Sequence, residues 1–255
     1  VATKVAQFIL LGVGGAKLLD ELEYNPDLYH LNEAHAVSSV FYLYKKFGKV
    51  EEIKKRLVFT THTPEEAGNE KHDIHLCHKM SYFCGLSLDE VRKLTGINDD
   101  QFNHSLVALR FGHLAYGVSQ LHGEVSRAMW GKHEGVCPII SITNAQNWRY
   151  WADKQLYRAS EESNDTWWDD RKKYLKRRAF EIVADQTGKI FDPNVFTIVW
   201  ARRFAGYKRS ELITRDKARF DTMMASKKYP VQIIWAGKPY PMDYPAINEF
   251  NNLVH

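Results

Sequence analysis

The sequence predicts an α/β protein with parallel sheets. Two observations in the residues predict the α/β class. Short apolar β-type runs alternate with segments of helical periodicity, the pattern of parallel strands with helical crossovers. Each of those runs discharges into polar or cationic residues, where an open α/β sheet collects its ligands. The clearest case is Phe196–Trp200, which leads into Arg202, Arg203, Lys208 and Arg209.

In chain order, Val5 to Leu22 carries apolar residues at helical spacing. Gly12, Gly14 and Gly15 fall inside this pattern, not after a strand, so they read as close helix packing and not as a phosphate-binding fingerprint. Asn32 to Lys46 reads as a second helix, and Leu57–Thr61 as a short buried strand followed by a turn over His62–Gly68. His72 to Arg127 reads as largely helical, interrupted near Gly85 and Gly96. Pro138–Thr143 is the next strand, ending at Asn144.

Between Trp151 and Arg178 charge and tryptophan crowd together, and Ser163-Asn164-Asp165 has the look of a capped, largely exposed helix. This composition shift places a boundary near residue 155, with a connecting region after it. Phe196–Trp200 and Val231–Trp235 then read as two buried strands separated by a helix through Ile213 to Met224, the second strand ending in Gly237 and Lys238.

Composition bounds the function. The 255 residues are 44% hydrophobic and 26% charged, a globular balance with length for a sizeable core. The net charge of +4 is spread among interleaved acids and bases, which argues against a nucleic-acid footprint and leaves local anion binding. No apolar run approaches the roughly 20 residues of a membrane helix. The start at Val1 shows no signal pattern, so the expected setting is cytoplasmic and away from membranes. Cys77, Cys84 and Cys137 are an odd set without C-x-x-C spacing, which suits reduced thiols. Glu70, His72, His75, Cys77 and His78 cluster in sequence but lack the four convergent ligands of a zinc site, so no metal is expected.

Polar residues thus arrive at four strand ends: Thr60, Thr61 and His62; Thr143 and Asn144; Arg202, Arg203 and Lys208; Gly237 and Lys238. Neutral hydrogen-bonding groups in the first half and cations in the second suit a polyhydroxylated ligand facing a phosphate. Alone, His62 and Asn144 can equally be turn residues.

Seven segments in order, Leu31–His35, Phe59–Pro64, Asn103–Arg110, Gly117–Arg127, Thr143–Asn144, Ala201–Arg209 and Ala236–Lys238, resemble the α-glucan phosphorylases, the glycogen, starch and maltodextrin enzymes. The resemblance spans nearly the whole chain and implies an α/β fold of GT-B type, parts of two Rossmann-like lobes with parallel sheets and a cleft between them. It makes residues 1–155 the C-terminal part of the first lobe and residues 156–255 the connecting helices and the start of the second. It also implies transfer of a terminal glucosyl unit from an α-1,4-glucan to inorganic phosphate with pyridoxal phosphate as acid–base partner, and it is compatible with a homodimer. It marks His62 as a catalytic-pocket histidine on the glucosyl unit, Asn144 as its partner on the same sugar, and Glu33 and His35 as bordering the pocket. Arg203 and Lys208 correspond to the pair that binds the substrate phosphate, Lys208 also reaching the cofactor phosphate.

Two departures stand against it. Asn144 is followed by Ala145-Gln146-Asn147 where the family has Gly and a small apolar residue, and the lysine that carries pyridoxal phosphate lies beyond His255. The expectation is an internal segment, inactive alone. A nucleotide-sugar glucosyltransferase of glycogen or starch synthase type shares the Arg–Lys spacing and is the alternative enzyme. A non-catalytic glucan-binding module is the alternative of another class.

Overall fold

The computed structural model describes residues 1–63, 65 and 69–254. The turn read over His62–Gly68 therefore falls partly outside the described residues, at Pro64, Glu66, Ala67 and Gly68. The chain divides into two compact units, Val1–Gln146 and Asn147–His255.

The first unit opens with a continuous helical run, α1 (Ala2–Ile9), a π-helical turn over Leu10–Gly14, and α2 (Gly15–Glu21). By length and composition this run could cross a membrane, with a mean hydropathy of 1.3, which corrects the sequence expectation that no segment comes near that length. One face nevertheless packs into the core through Val5 and Phe8, while Leu10, Leu11 and Leu18 are exposed. A Cβ on Gly12 would stand 2.1 Å from Ser38 Oγ and 2.6 Å from the Ala36 carbonyl oxygen, so the packing role read for this glycine holds. At Gly15 nothing lies close enough to require it.

There follow β1 (Tyr29–Asn32), a 3₁₀ turn over Ala34–Ala36, α3 (Ser39–Phe47), α4 (Val50–Lys54) and β2 (Leu57–Thr61). Next come β3 (Lys71–Asp73), α5 (Ile74–Lys79), α6 (Leu88–Thr95), β4 (Gln101–Asn103), α7 (His104–Phe111), β5 (Leu114–Gly117), α8 (Gln120–Trp130) and β6 (Ile139–Ser141). Strands β1, β2, β5 and β6 form a parallel sheet in the order β1-β2-β5-β6, and β3 pairs antiparallel with β4. Side-chain caps start the helices: Asp73 accepts from the Leu76 amide, Asn103 from Leu106 and Ser119 from His122, while Ser87 and Glu90 close a reciprocal capping box on α6.

Two sequence expectations change here. The helix read from Asn32 begins only at Ser39, because Tyr29–Asn32 alternates buried and exposed as a strand and Glu33 takes φ +60°, ψ 173°, which no helix accepts. The largely helical stretch His72–Arg127 contains β3, β4 and β5. Three- and four-residue strands are too short to imprint a period of two, and the leucine spacing through Leu106, Leu109 and Leu114 runs from a helix into a strand across an extended Gly112.

The second unit comprises α9 (Trp148–Trp151), α10 (Lys154–Glu161), α11 (Asp165–Thr187), β7 (Phe196–Ala201), α12 (Lys217–Met224), β8 (Val231–Ala236) and α13 (Tyr244–Val254). Asn164 caps α11 by accepting from the Trp167 amide, and of the 23 residues of this helix only Phe180 is buried, so the exposed capped helix stands as read. The helix read from Ile213 starts only at Lys217, where Asp216 caps it after a 3₁₀ turn. Strands β7 and β8 pair in parallel over six positions, yet none of their residues is buried, which corrects the reading of both as buried strands. An apolar run dictates extended backbone, but burial depends on a second layer over each face.

Candidate functional site

In the first unit β1 and β2 run parallel and end together, so the residues just beyond their carboxyl ends meet. The Glu33 amide donates to the Thr60 carbonyl at 2.9 Å, which continues the β1–β2 ladder one residue past Asn32. His62 Nε2 donates to Asn32 Oδ1 at 2.7 Å, putting that ring's proton on Nε2 and leaving Nδ1 as an acceptor. The His62 amide and the Thr63 hydroxyl both donate to Glu33 Oε1, the latter at 3.2 Å. Glu33, His35 and Thr63 also border a hollow of about 70 Å³ with Asn69, Glu70 and Ser105.

Three of the sequence-derived residues, Glu33, His35 and His62, are thus gathered at one strand edge. Asn144 stands at the end of β6 on an extension of the sheet, its amide donating to the Val118 carbonyl at 3.1 Å after Ile142 has donated to Gly117. Its side chain is exposed and has no hydrogen bond to the other three.

Behind this edge His122 is buried at 7% exposure. Burial depresses its basicity, the neighbouring His62 adds to that, and Glu33 and the Thr63 carbonyl oppose it, with a net shift below the usual histidine value. Deeper still, His72 Nδ1 and His104 Nε2 are 2.8 Å apart and Tyr82 reaches His104 Nδ1 at 2.8 Å. Burial, with His72 and His35 nearby, pushes His104 down to about 3. His72 therefore spends its ring on a core histidine, and burial pushes the Cys77 thiol up to about 12. Among the described residues no three His, Cys, Asp or Glu side chains converge as metal ligands. Cys77, Cys84 and Cys137 carry no disulfide.

In the second unit β7 and β8 stay paired past their ends. The Arg202 amide donates to the Ala236 carbonyl at 3.0 Å, and the Phe204 amide to the Lys238 carbonyl at 3.2 Å. A Cβ on Gly237 would sit 1.8 Å from the Arg202 carbonyl oxygen, so glycine alone fits where the two chains close. The loop then turns through a 3₁₀ segment, Gly206–Lys208, and Arg209 takes φ +53°. Trp200 and Trp235 tie the loop down, their indole N–H groups donating to the Lys208 and Ser210 carbonyls at 3.3 and 3.1 Å.

Arg203 and Lys208 share one neighbour, the hydroxyl of Tyr207. Arg203 Nη2 is 3.5 Å from it, and Lys208 Nζ lies 5.1 Å from the ring centroid. Burial would raise that phenol, but the two cations outweigh it and hold the hydroxyl below its usual range. Among the described residues no carboxylate pairs with Arg203 or Lys208, so their charge is available to an anion.

Asn32, His122 and Tyr207 are the participants that sequence reasoning did not single out. Each lies within or beside a quoted segment, and the signal was adjacency: Asn32 precedes Glu33, and Tyr207 separates the two cations.

The geometry defines a class first: an α/β protein with parallel sheets that presents uncharged hydrogen-bonding groups gathered on a carboxylate at one sheet end and, among the described residues, unpaired cations at another. The chain is 42% identical over 250 residues to an uncharacterized protein of Methanocaldococcus jannaschii, covering 98% of this chain and 47% of that protein. It is 30% identical over 289 residues to the maltodextrin phosphorylase of Thermococcus litoralis and 29% identical over 306 residues to the glycogen phosphorylase of Mycobacterium tuberculosis. Those two alignments cover 94% of this chain and 34% and 35% of the enzymes. The chain therefore spans about a third to a half of the length of the curated relatives it matches. No family model matches it. It is homologous to glycogen and maltodextrin phosphorylases over nearly all of its own length, and is a phosphorylase-related segment.

Proposed function

We propose that this chain supplies the glucosyl-binding edge and the phosphate-binding loop of an α-1,4-glucan phosphorylase of GT-B architecture. The observation that carries the reading is the joining of Asn32, Glu33 and His62 at the ends of β1 and β2, together with the homology to phosphorylases. In this reading His62 and Asn144 take hydroxyls of the terminal glucosyl unit while Glu33 and His35 border the pocket. Arg203 grips inorganic phosphate through its two-pronged guanidinium, and Lys208 adds a point charge. The bond from C1 to the glycosidic oxygen breaks as that oxygen takes a proton from the substrate phosphate and a phosphate oxygen bonds C1, giving glucose 1-phosphate and a glucan shorter by one unit. Groups fixed in advance around a glucosyl cation-like transition state stabilise it without reorganising.

The unpaired charge of Arg203 and Lys208 beside the acidified Tyr207 hydroxyl fits a phosphate group, so Lys208 is the residue of this chain that would meet pyridoxal phosphate. When bound, that cofactor supplies a phosphate able to exchange a proton with the substrate phosphate. The reading carries with it the homologues' substrates, a glucan and phosphate, and a cytoplasmic setting.

The test measures glucose 1-phosphate released from maltodextrin and inorganic phosphate by the natural protein containing this chain, with pyridoxal phosphate present. Release is expected, with Arg203→Lys losing most of it because an ammonium cannot reproduce the bidentate grip. His62→Ala is expected to lower kcat/KM in both directions by on the order of a hundredfold without lowering the melting temperature. Turnover of a nucleotide sugar without phosphorolysis would overturn the reading in favour of a glucosyltransferase. Glucan binding with neither activity would leave a binding module.

A further inference from the structure

His122 opens α8 beside the edge that carries His62, and its ring is fixed from one side only. Nδ1 accepts the Val118 amide at 3.1 Å, so in the neutral ring the proton sits on Nε2. The residue's own amide donates to Ser119 Oγ at 3.1 Å, the cap of the helix. The helix start packs closely on β6, because a Cβ on the next residue, Gly123, would stand 2.0 Å from Ser141 Oγ.

Nε2 is buried and has no hydrogen-bond partner. A buried N–H left unmade is costly, so this donor calls for an acceptor. The surroundings offer few acceptors. The groups that act on this ring are His62, the Glu33 carboxylate and the Thr63 carbonyl. The Glu33 carboxylate already receives the His62 amide and the Thr63 hydroxyl. His62 has its own Nε2 committed to Asn32.

We propose that His122 is a positioning residue for His62: in the ligand-competent form its Nε2–H donates to the Thr63 carbonyl and locks the turn that holds His62 against Asn32 and Glu33. His122 does not touch the sugar. A neutral ring is required, since an imidazolium could not accept the Val118 amide, and burial keeps it neutral. This inference rests on the proposed function only in giving His62 a ligand to face; the lock itself is a property of the chain.

The two ring nitrogens can be tested separately, because an Asn amide mimics the Nδ1 position and a Gln amide the Nε2 position. Nitrogen-15 NMR of the wild-type chain at neutral pH is expected to show His122 as the Nε2–H tautomer. His122→Gln, which keeps the donor, is expected to leave the His62 ring resonances in place. His122→Asn, which keeps the acceptor for Val118 and removes the donor, is expected to shift and broaden them. In phosphorolysis by the natural protein, kcat/KM is expected to fall about tenfold or more in His122→Asn and to stay near wild type in His122→Gln, the size of loss that misplacing a ligand group brings. An Nδ1–H tautomer in the wild type, or equal disturbance of His62 by both variants, would overturn the proposal. If the NMR results come out as expected and the wild type shows no phosphorolysis, the proposed function has failed and the lock stands.

Discussion

The sheet of the first unit and the sheet of the second do the same thing at their ends and opposite things along their faces. Both are parallel, and both deliver polar side chains past their carboxyl termini. Strand β2 has four of its five residues buried, among them Leu57 and Phe59 at 0% exposure, whereas β7 and β8 have none. The first site is correspondingly cross-linked, with His62 held by Asn32 and Glu33 before any ligand arrives. In the second the backbone is tied by two indole groups, while Arg203 and Lys208 touch little besides Tyr207. The difference teaches that a strand end can present ligand groups without a deep core beneath it. What the core adds is the advance placement of neutral groups, which lack the long reach of a charge.

The sharpest way to break this comparison is a pair of truncations. Phe59→Ala removes a ring buried in the first core and is expected to cost about 3–5 kcal/mol. Val199→Ala, at a residue 57% exposed on β7, is expected to stay within about 0.5 kcal/mol. Urea melts of the two variants decide it, and equal costs would mean that the two sheets are equally built.

Next in size, Gly237→Ala drives a Cβ into the Arg202 carbonyl and is expected to cost about 1–3 kcal/mol, showing that the second unit is tight at its ligand end although open on its faces. A neutral result in the same melts would remove that distinction.

A smaller effect concerns Glu211 and Glu249, which face each other beside Ser210. Arg215 holds the Glu211 carboxyl below its usual range, with Glu249 assisting, while burial and Glu211 raise Glu249. The raised group stabilises the fold below the ordinary value of 4.5, and that contribution is lost as pH rises through its folded value. The lowered group stabilises above 4.5, and its share is lost as pH falls through its own folded value. Thermal stability should therefore crest where the pair holds one proton. Glu249→Gln, which keeps a neutral donor, should flatten the alkaline side of that crest. Melting curves across the acidic and neutral range check it, and an unchanged alkaline slope in the variant would dissolve the pair.

The smallest expected change in stability belongs to Arg203→Ala, within about 0.5 kcal/mol, since the guanidinium has only one long contact to lose. Its signature lies in linkage instead: phosphate should raise the melting temperature of the wild-type chain and not that of the variant. Protection that survives in Arg203→Ala would place the anion elsewhere.

How much of this was legible follows the same division. β2, β7 and β8 could be read because runs such as Leu57–Thr61 and Phe196–Trp200 are five or more residues long and β-branched or aromatic. β1, β4 and β5 could not, being three or four residues long and fused in sequence to helices. The site residues were visible as chemistry, a histidine or a pair of cations after a strand. Their partners were not, because the bond from His62 to Asn32 spans thirty residues and exists only once β1 and β2 align. His122 was hidden for another reason: an unmet donor is a property of packing, which no spacing encodes. The exposed faces of β7 and β8 were misread because apolar character fixes what a residue prefers and not what it receives.

Glu33 carries a consequence of its own. Its φ of +60° with ψ 173° lies in a region open almost only to glycine, and holding another residue there costs on the order of 1–3 kcal/mol. Foldability and ligand chemistry thus favour different amino acids at one position: glycine would relax the backbone, glutamate alone supplies the carboxylate that gathers His62 and Thr63. A library of variants screened only for heat resistance would drift toward glycine at residue 33 and lose the site while the melting temperature rose. A screen for ligand capture would drift back, so the identity of this single residue reports which of the two pressures a population of sequences has been under.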